Sequence, residues 1–345
     1  MRGLIHFCLG AALALLALEV GLRLLPVSTA THTGYSVDPD ILTYPPHHVF
    51  TTAAGWDLQH VQRLRANNAG FVAVHDFVAG SDAVGLIGDS YVEASALPAA
   101  ERLAARLEAR WNGRPVYAFG APGSSLLDYA ARIDFAHRRF GLRDFVVVLE
   151  RFDLFQAICG SGQIHAHCLD RASGGARIER QAPPGLLKRV ARESALAQYL
   201  FSQLKLSLAS LLRHTRPGAP QAQTKLAATE LPAPLANAVI DRFLAMLPAD
   251  AGLRLVVVIE PGPAGTPGPA GPDAANLELL ARRLRAAGIL VVDPAPAFRE
   301  DIARHGRSLQ IAPHDGHWNA RAVDLIATAI GDPFSRAGKA DDARR

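Results

Sequence analysis

The sequence predicts an α/β fold: a five-stranded, mostly parallel sheet with helices on both faces, an N-terminal membrane segment and a helical insertion. Three observations carry this. Short, wholly apolar runs recur at 83–87, 115–119, 145–149, 255–259 and 289–292, each with the length of a strand buried on both faces. The stretches between them repeat their apolar residues at helical spacing. Strands alternating with helices favour parallel pairing through right-handed crossovers. The 345 residues, 49% hydrophobic and 20% charged, supply a sizeable core.

The elements follow in order. Residues 3–18 carry no formal charge and are rich in Leu and Ala; Arg2 precedes them, and Glu19 and Arg23 lie in a second apolar stretch ending at Leu25. From Gly3 to Leu25 the segment is long enough to span a bilayer. Residues 1–25 therefore read as a signal-anchor, or as a signal peptide cleaved near the small residues Ser28-Thr29-Ala30. Glu19 and Arg23, one helical turn apart, are placed to pair at the interface. Residues 26–80, frequent in Pro, Thr and His, read as a stalk and an irregular subregion with short strands at 72–74 and 77–78.

The α/β domain is expected over 81–333. Leu103, Leu107 and Trp111 mark one helix, Leu277, Leu280 and Leu284 another, and Ser125 with Asp128 forms a capping box for a third. Five strands in this alternation suit a flavodoxin-like order. Residues 151–250 interrupt it as an insertion between the third and fourth strands. Within it, 186–213 reads as one or two helices with a basic face around Lys188, Arg189 and Arg192, either solvated or touching lipid headgroups. A polar link follows at 215–234, then a helix at 235–247. Gly262, Gly265, Gly268 and Gly271 recur every third residue, which reads as a mobile loop leaving the carboxyl end of the fourth strand. Open α/β sheets bind ligands at that edge. Residues 334–345 read as a disordered tail.

A net charge of +4, dispersed along the chain, lacks the basic massing of a nucleic-acid binder. No Gly-rich phosphate loop and no zinc signature is present, so no cofactor or metal is expected. In an oxidising compartment Cys159 and Cys168 most simply form a disulfide. Free thiols are the alternative, and a metal site with His165 and His167 is a third reading whose spacing fits no standard zinc motif.

The chemistry centres on Ser90 in Gly88-Asp89-Ser90-Tyr91, directly after the first buried strand. A serine at a strand-to-helix turn is either a helix cap or an exposed nucleophile whose own N–H faces a developing oxyanion. The second role needs a base. His317, in His314-Asp315-Gly316-His317-Trp318-Asn319, lies before the last helix and so on the same sheet edge. Asp315, two residues before it, is placed to orient the imidazole. His314 is a rival base beside Asp315.

These blocks resemble the SGNH (GDSL-type) hydrolase superfamily over about residues 83–330, outside the insertion. Gly88-Asp89-Ser90-Tyr91-Val92-Glu93-Ala94 and Glu19-Val20-Gly21-Leu22-Arg23 are similar to exported, membrane-anchored members. Arg65-Ala66-Asn67-Asn68-Ala69-Gly70-Phe71 resembles their segment before the domain. Asp315-Gly316-His317-Trp318-Asn319 resembles the base block of relatives that acetylate or deacetylate bacterial exopolysaccharides.

The resemblance implies Ser90 as nucleophile, His317 as base and Asp315 as its orienting acid. It also implies an oxyanion hole from the N–H groups of Ser90 and Gly123, with Gly120 as the fallback, and an Asn side chain from a third block. Here that block reads Glu150-Arg151-Phe152-Asp153, with Phe152 where the Asn stands. A phenyl ring donates no hydrogen bond, and one lost donor costs ~10²–10³ in rate. Arg151, Gln156 and Asn319 are the candidate substitutes.

The expectation is an esterase or O-acyltransferase at the bacterial inner membrane, its domain periplasmic. Its expected substrate is acylated envelope or exopolysaccharide carbohydrate, with polysaccharide-biosynthesis proteins as possible partners. The competing expectation is a degenerate module that binds glycan or a partner.

Overall fold

The computed structural model describes residues 2–161, 167–206, 230–249, 252–261, 274–311, 313 and 315–335. The chain opens with the helix Arg2–Arg23, which has no buried residue and a mean hydropathy of 2.0 over its most apolar stretch. By length and composition it is able to cross a membrane.

Residues 26–80 depart from the expected irregular stalk. They form two antiparallel pairs, β1 (Gly34–Asp38) with β2 (Ile41–Thr43) and β3 (Val49–Ala54) with β4 (Gln59–Arg65). Tyr44, Phe50, Leu64, Ala66 and Val72 pack into a small core of their own. Ile41, Ala69, Phe71 and Phe77 join the core of the α/β domain. The strands expected at 72–74 and 77–78 do not form, apart from one bridge between Ala66 and Val72. The physical reason is local. The Asn67 carboxamide accepts from the Ala69 and Phe71 N–H groups at 3.0 Å. Asn68 brackets Phe77, accepting from its N–H at 2.8 Å and donating to its carbonyl at 2.9 Å. Side chains thus satisfy backbone groups that a strand ladder would otherwise use. The Asn-Asn-Ala-Gly-Phe block is a clamp that seats Phe71 and Phe77 against Phe119.

The five apolar runs form the expected sheet: β5 (Val84–Gly88), β6 (Val116–Gly120), β7 (Asp144–Leu149), β10 (Arg254–Ile259) and β11 (Leu290–Val292). Its order is β11-β10-β7-β5-β6, every pair parallel, which is the flavodoxin-like order. Alternation divides the strands between two cores. Ile87, Phe119, Val147 and Val257 face the helices Leu126–Phe140, Ala233–Met246 and Ala274–Ala286. Leu86, Ala118, Val148 and Val258 face Leu103–Arg110, Ala295–His305 and Ala320–Ile330. The Asp128 carboxylate accepts from the Ser125 N–H at 3.1 Å, capping the helix Leu126–Phe140.

The insertion is less separate, and less purely helical, than expected. The helix Asp153–Gln156 and a hairpin of β8 (His167–Leu169) with β9 (Ala176–Ile178) open it, and Leu154, Ala157, Ile158 and Leu169 lie in the main core. Cys159 and Cys168 are bonded to each other, with Cα atoms 5.0 Å apart. The helices Leu186–Glu193 and Ala195–Ala197 and a π-helical turn, Gln198–Gln203, follow. His165, most of the 215–234 link and the glycine-periodic run lie outside the described residues. Phe334 departs from the expected disordered tail over 334–345. Phe334 is buried against Trp111 and lies under the Arg254 guanidinium, because it closes the end of the sheet. Residues 336–345 lie outside the described residues.

The N-terminal subregion also reaches the serine helix. The Tyr44 hydroxyl donates to the buried Glu93 carboxylate at 2.6 Å. Burial pushes Glu93 up to about 7, even though the Tyr44 bond and the Arg102 charge favour its ionised form. The unfolded side chain ionises near 4.5, so between pH 4.5 and 7 the folded state holds a proton that the unfolded state has lost. This group therefore withdraws stability as pH rises through that window. Glu93→Gln is expected to raise the melting temperature at pH 8, with the gain shrinking towards pH 5. An equal shift at both pH values, by thermal melts, would contradict the assignment.

Candidate active site

Ser90 opens the one-turn helix Ser90–Glu93 immediately beyond β5. Asp89 caps that turn, its carboxylate accepting from the Tyr91 N–H at 2.9 Å. The helix ends at Ala94 in a left-handed conformation. The turn packs closely on β6. A Cβ on Gly120 would fall 2.4 Å from the Glu93 backbone nitrogen, so this position admits only glycine.

The segment before the helix Ala320–Ile330 brings His317 to Ser90. His317 Nε2 lies 2.7 Å from Ser90 Oγ, and its Nδ1 lies 2.5 Å from Asp315 Oδ1. The same carboxylate oxygen accepts from the His317 N–H at 2.9 Å, which fixes the two-residue spacing. Asn319 ends the segment as the cap of the last helix, accepting from the Ala322 N–H at 3.0 Å. Tyr91 packs on both His317 and Trp318, with ring centroids 4.8 and 4.6 Å away.

Electrostatics favour a charged imidazole. Burial works against charge on His317, but the bonded Asp315 carboxylate outweighs it and holds the pKa above the ordinary value. For Asp315, burial favours the neutral acid and the His317 contacts reverse that, so its carboxyl lies below the usual range. Lys205, at the end of the insertion's helical segment, also acts on both groups through its charge. Behind the serine lies a group of buried carboxylates. Glu150 is pushed up to about 8, first by burial and then by Asp89 and Glu260. Asp153 is raised by burial and then by Asp89 and Glu150, while accepting from Tyr129 Oη at 3.0 Å and from the Glu150 N–H at 2.7 Å.

The other expected site residues divide. Gly123, in the loop after β6, has a φ of +76°, a left-handed geometry that favours glycine. Ser90 is the first residue of its helix, so its N–H is among the donors that a helix start leaves without an intrahelical partner. Phe152 caps the helix Asp153–Gln156 and carries the Arg151 guanidinium 5.2 Å above its ring. Arg151 lines a different cleft, with Glu260 and Asp293, beyond the ends of β10 and β11. Gln156 points its amide at Glu150, 3.4 Å away. Asn319 is committed on both sides, since its Nδ2 also donates to the Ser308 carbonyl at 2.9 Å. His314 lies outside the described residues.

One residue of this region escaped the sequence reading. Arg132 is 2% exposed, in the middle of the helix Leu126–Phe140. Its Nη1 donates to the Gly88 and Phe119 carbonyls, both at 2.6 Å, and its Nη2 donates to Ser124 Oγ. It ties together the serine turn, β6 and the Gly123 loop. The signal was an arginine at helical spacing with the apolar Tyr129, Ile133 and Ala136, on the face that packs inward.

No family model and no curated protein matches the sequence. Solved structures do resemble the fold. A lipolytic protein of the G-D-S-L family from Veillonella parvula is 12% identical, over 74% of this chain and 98% of that one, with a TM-score of 0.39. An α/β hydrolase from the metagenome of Lake Arreo is 20% identical, over 74% and 94%, with a TM-score of 0.34. A carbohydrate esterase family 2 enzyme with a carbohydrate-binding domain, from Corynascus thermopiles, is 10% identical, over 81% and 76%, with a TM-score of 0.36. These likenesses carry no argument here, and the chemistry rests on the side chains above.

Removing the Arg132 guanidinium takes a charged donor from the buried Phe119 carbonyl, from Ser124 Oγ and from the Gly88 carbonyl, which keeps only the Ala121 N–H at 3.2 Å, and a buried acceptor robbed of its donor costs about 1–3 kcal/mol. Arg132→Met is expected to lower the denaturation midpoint accordingly. A midpoint within error of the parent protein would show that Arg132 is not the tie described.

Proposed function

We propose that the protein is an exported, membrane-tethered serine esterase or O-acyltransferase of SGNH type. The observation that carries this is the continuous chain Ser90 Oγ, His317 Nε2, His317 Nδ1 and Asp315 Oδ1, with links of 2.7 and 2.5 Å. Ser90 is the nucleophile, His317 the base and Asp315 the orienting acid. As Ser90 Oγ attacks an ester carbonyl, its proton passes to His317 Nε2 and Asp315 holds the imidazolium. The Ser90 and Gly123 N–H groups donate to the oxyanion. Collapse expels the alcohol, protonated by His317, and leaves acyl-Ser90. Water or a sugar hydroxyl, deprotonated by the same imidazole, then takes the acyl group.

The substrate proposed is O-acetylated or otherwise acylated envelope carbohydrate. The N-terminal helix, long and apolar enough to cross a membrane, supports a location beyond the bacterial inner membrane. The cleft of about 500 Å³ at the same sheet edge supports a polar acceptor, since Arg151, Arg282 and Arg299 line it with Glu260 and Asp293. A second reading, a non-catalytic glycan- or partner-binding module, is favoured by Phe152, which leaves the oxyanion side with two backbone donors and no third-block side chain.

One experiment separates them. The full chain in detergent is expected to hydrolyse a small aryl acetate and to be labelled by a fluorophosphonate, both lost in Ser90→Ala. Absence of both from folded parent protein would favour the binding module.

A pH profile tests the base. His317 must be neutral to accept the proton, so kcat/KM rises with pH through a pKa above the ordinary 6.5. Asp315→Asn removes the opposing charge while burial remains. The rising limb is therefore expected to move to lower pH and the plateau to fall, by up to ~10⁴-fold on the Ser-His-Asp template. A limb that stays in place would exclude Asp315 as the partner of the titrating group.

A further inference from the structure

The helix Leu186–Glu193 is turned the wrong way for a soluble protein. At 100° per residue Leu186, Leu187 and Val190 share one face, and Lys188 and Arg192 lie opposite. The apolar face points outward: Leu186, Leu187 and Val190 are 71, 84 and 60% exposed. Lys188 and Arg192 instead line a groove with Thr31, Thr33 and Gln181. Phe201, in the following π-helical turn, and Trp56, between β3 and β4, are exposed as well.

The position of this surface identifies what covers it. Glu19, in the last turns of the apolar helix Arg2–Arg23, accepts from Ser194 Oγ at 2.8 Å and from the Ala195 and Leu196 N–H groups at 3.0 and 2.9 Å. Arg23 pairs with Glu19 at 2.7 Å and donates to the Glu193 carbonyl at 2.9 Å. The same segment is fastened to the domain. Gln203 donates to the Gly55 carbonyl at 2.7 Å and accepts from the Ser28 N–H at 3.0 Å, and Tyr199 Oη donates to the Trp56 carbonyl at 3.0 Å. The exposed apolar residues are thus anchored where the apolar helix ends.

We propose that Leu186, Leu187 and Val190, with Phe201 and Trp56, rest on the surface of the bilayer that the helix Arg2–Arg23 enters. Their apolar groups sit in the acyl boundary, and Lys188, Arg189 and Arg192 lie among anionic headgroups. The inference rests on the anchor reading of the N-terminal segment. It adds that the domain is docked on the membrane in one orientation, with the segment ending in Lys205 linking the bilayer surface to the Asp315–His317 side of the site.

Collisional quenching of the full chain in vesicles tests this. Cys8 is the free cysteine among the described residues, and it lies inside the apolar helix. A nitrobenzoxadiazole probe on Cys8 reports whether that helix is inserted. The same probe on Leu187→Cys in a Cys8→Ser background reports the docking surface, and one on Glu300→Cys in that background reports an exposed position on the helix Ala295–His305, outside the proposed surface. In vesicles of phosphatidylcholine with phosphatidylglycerol, doxyl lipids labelled near the headgroup are expected to quench the probe at 187, at least twofold more than the probe at 300. Charge reversal of Lys188, Arg189 and Arg192 together should weaken that quenching. Quenching at Cys8 without quenching at 187 overturns the docking and leaves the anchor standing. A probe at 187 that is shielded from water but unquenched by lipid also overturns it, since a protein surface would then be the cover. No quenching at either position overturns the anchor reading and the docking with it.

Discussion

The guanidinium of Arg132 is where sheet, helix and serine turn are joined. The last residues of β5 and β6 present carbonyls that the ladder does not fully satisfy, because the chain leaves the sheet there to form Ser90–Glu93 and the Gly123 loop. Buried carbonyls that keep a free lone pair are costly, and the Gly88 carbonyl has only the Ala121 N–H at 3.2 Å from the backbone. Arg132, reaching from the middle of a packed helix, supplies donors to Gly88, Phe119 and Ser124 at once. The fork geometry of arginine suits this, since two bonds of 2.6 Å come from one nitrogen while the other reaches the loop. The serine and the glycine loop are thereby held from one rigid point.

A second brace comes from the N-terminal subregion. Tyr44 closes on Glu93 from one side of the serine helix, while the Asn67–Asn68 clamp drives Phe71 and Phe77 into the aromatic cluster with Tyr117 and Phe119. The subregion is part of the domain in the energetic sense, because its aromatic rings fill one of the two cores. It also leaves ionisable groups in poor solvent. Asp89, Glu93, Glu150 and Asp153 all have raised pKa values with burial as the first cause, so much of the negative charge near the serine is suppressed. That suppression suits a site in which an oxyanion must form.

The sheet edge carries two different environments. On one side the Ser90–His317–Asp315 chain is closed in by Tyr91 and Trp318. On the other, past the ends of β10 and β11, arginines and carboxylates line an open cleft. Phe152 stands at the third block between strand and insertion, and it serves as the platform for Arg151 instead of as a donor. Gln156 and Asn319, the other side chains of suitable chemistry, are turned to Glu150 and to the cap of the last helix.

By itself the sequence determined the sheet and its order, since runs such as 145–149 and 255–259 are apolar on both faces and a strand between two helical layers is the structure that buries them. It also determined the serine turn, the Asp315–His317 pair and the capping box, because each is encoded within a few neighbouring residues. Tertiary structure decided what depends on contacts between distant segments. The hairpins of residues 34–65 are polar on their outer faces and become strands only when paired. Phe334 becomes core only because Trp111 and Arg254 lie beside it. Arg132 is an ordinary helical arginine until three acceptors from other elements converge on it. The fate of each candidate oxyanion donor was likewise decided by partners far away in the chain, which local spacing cannot encode.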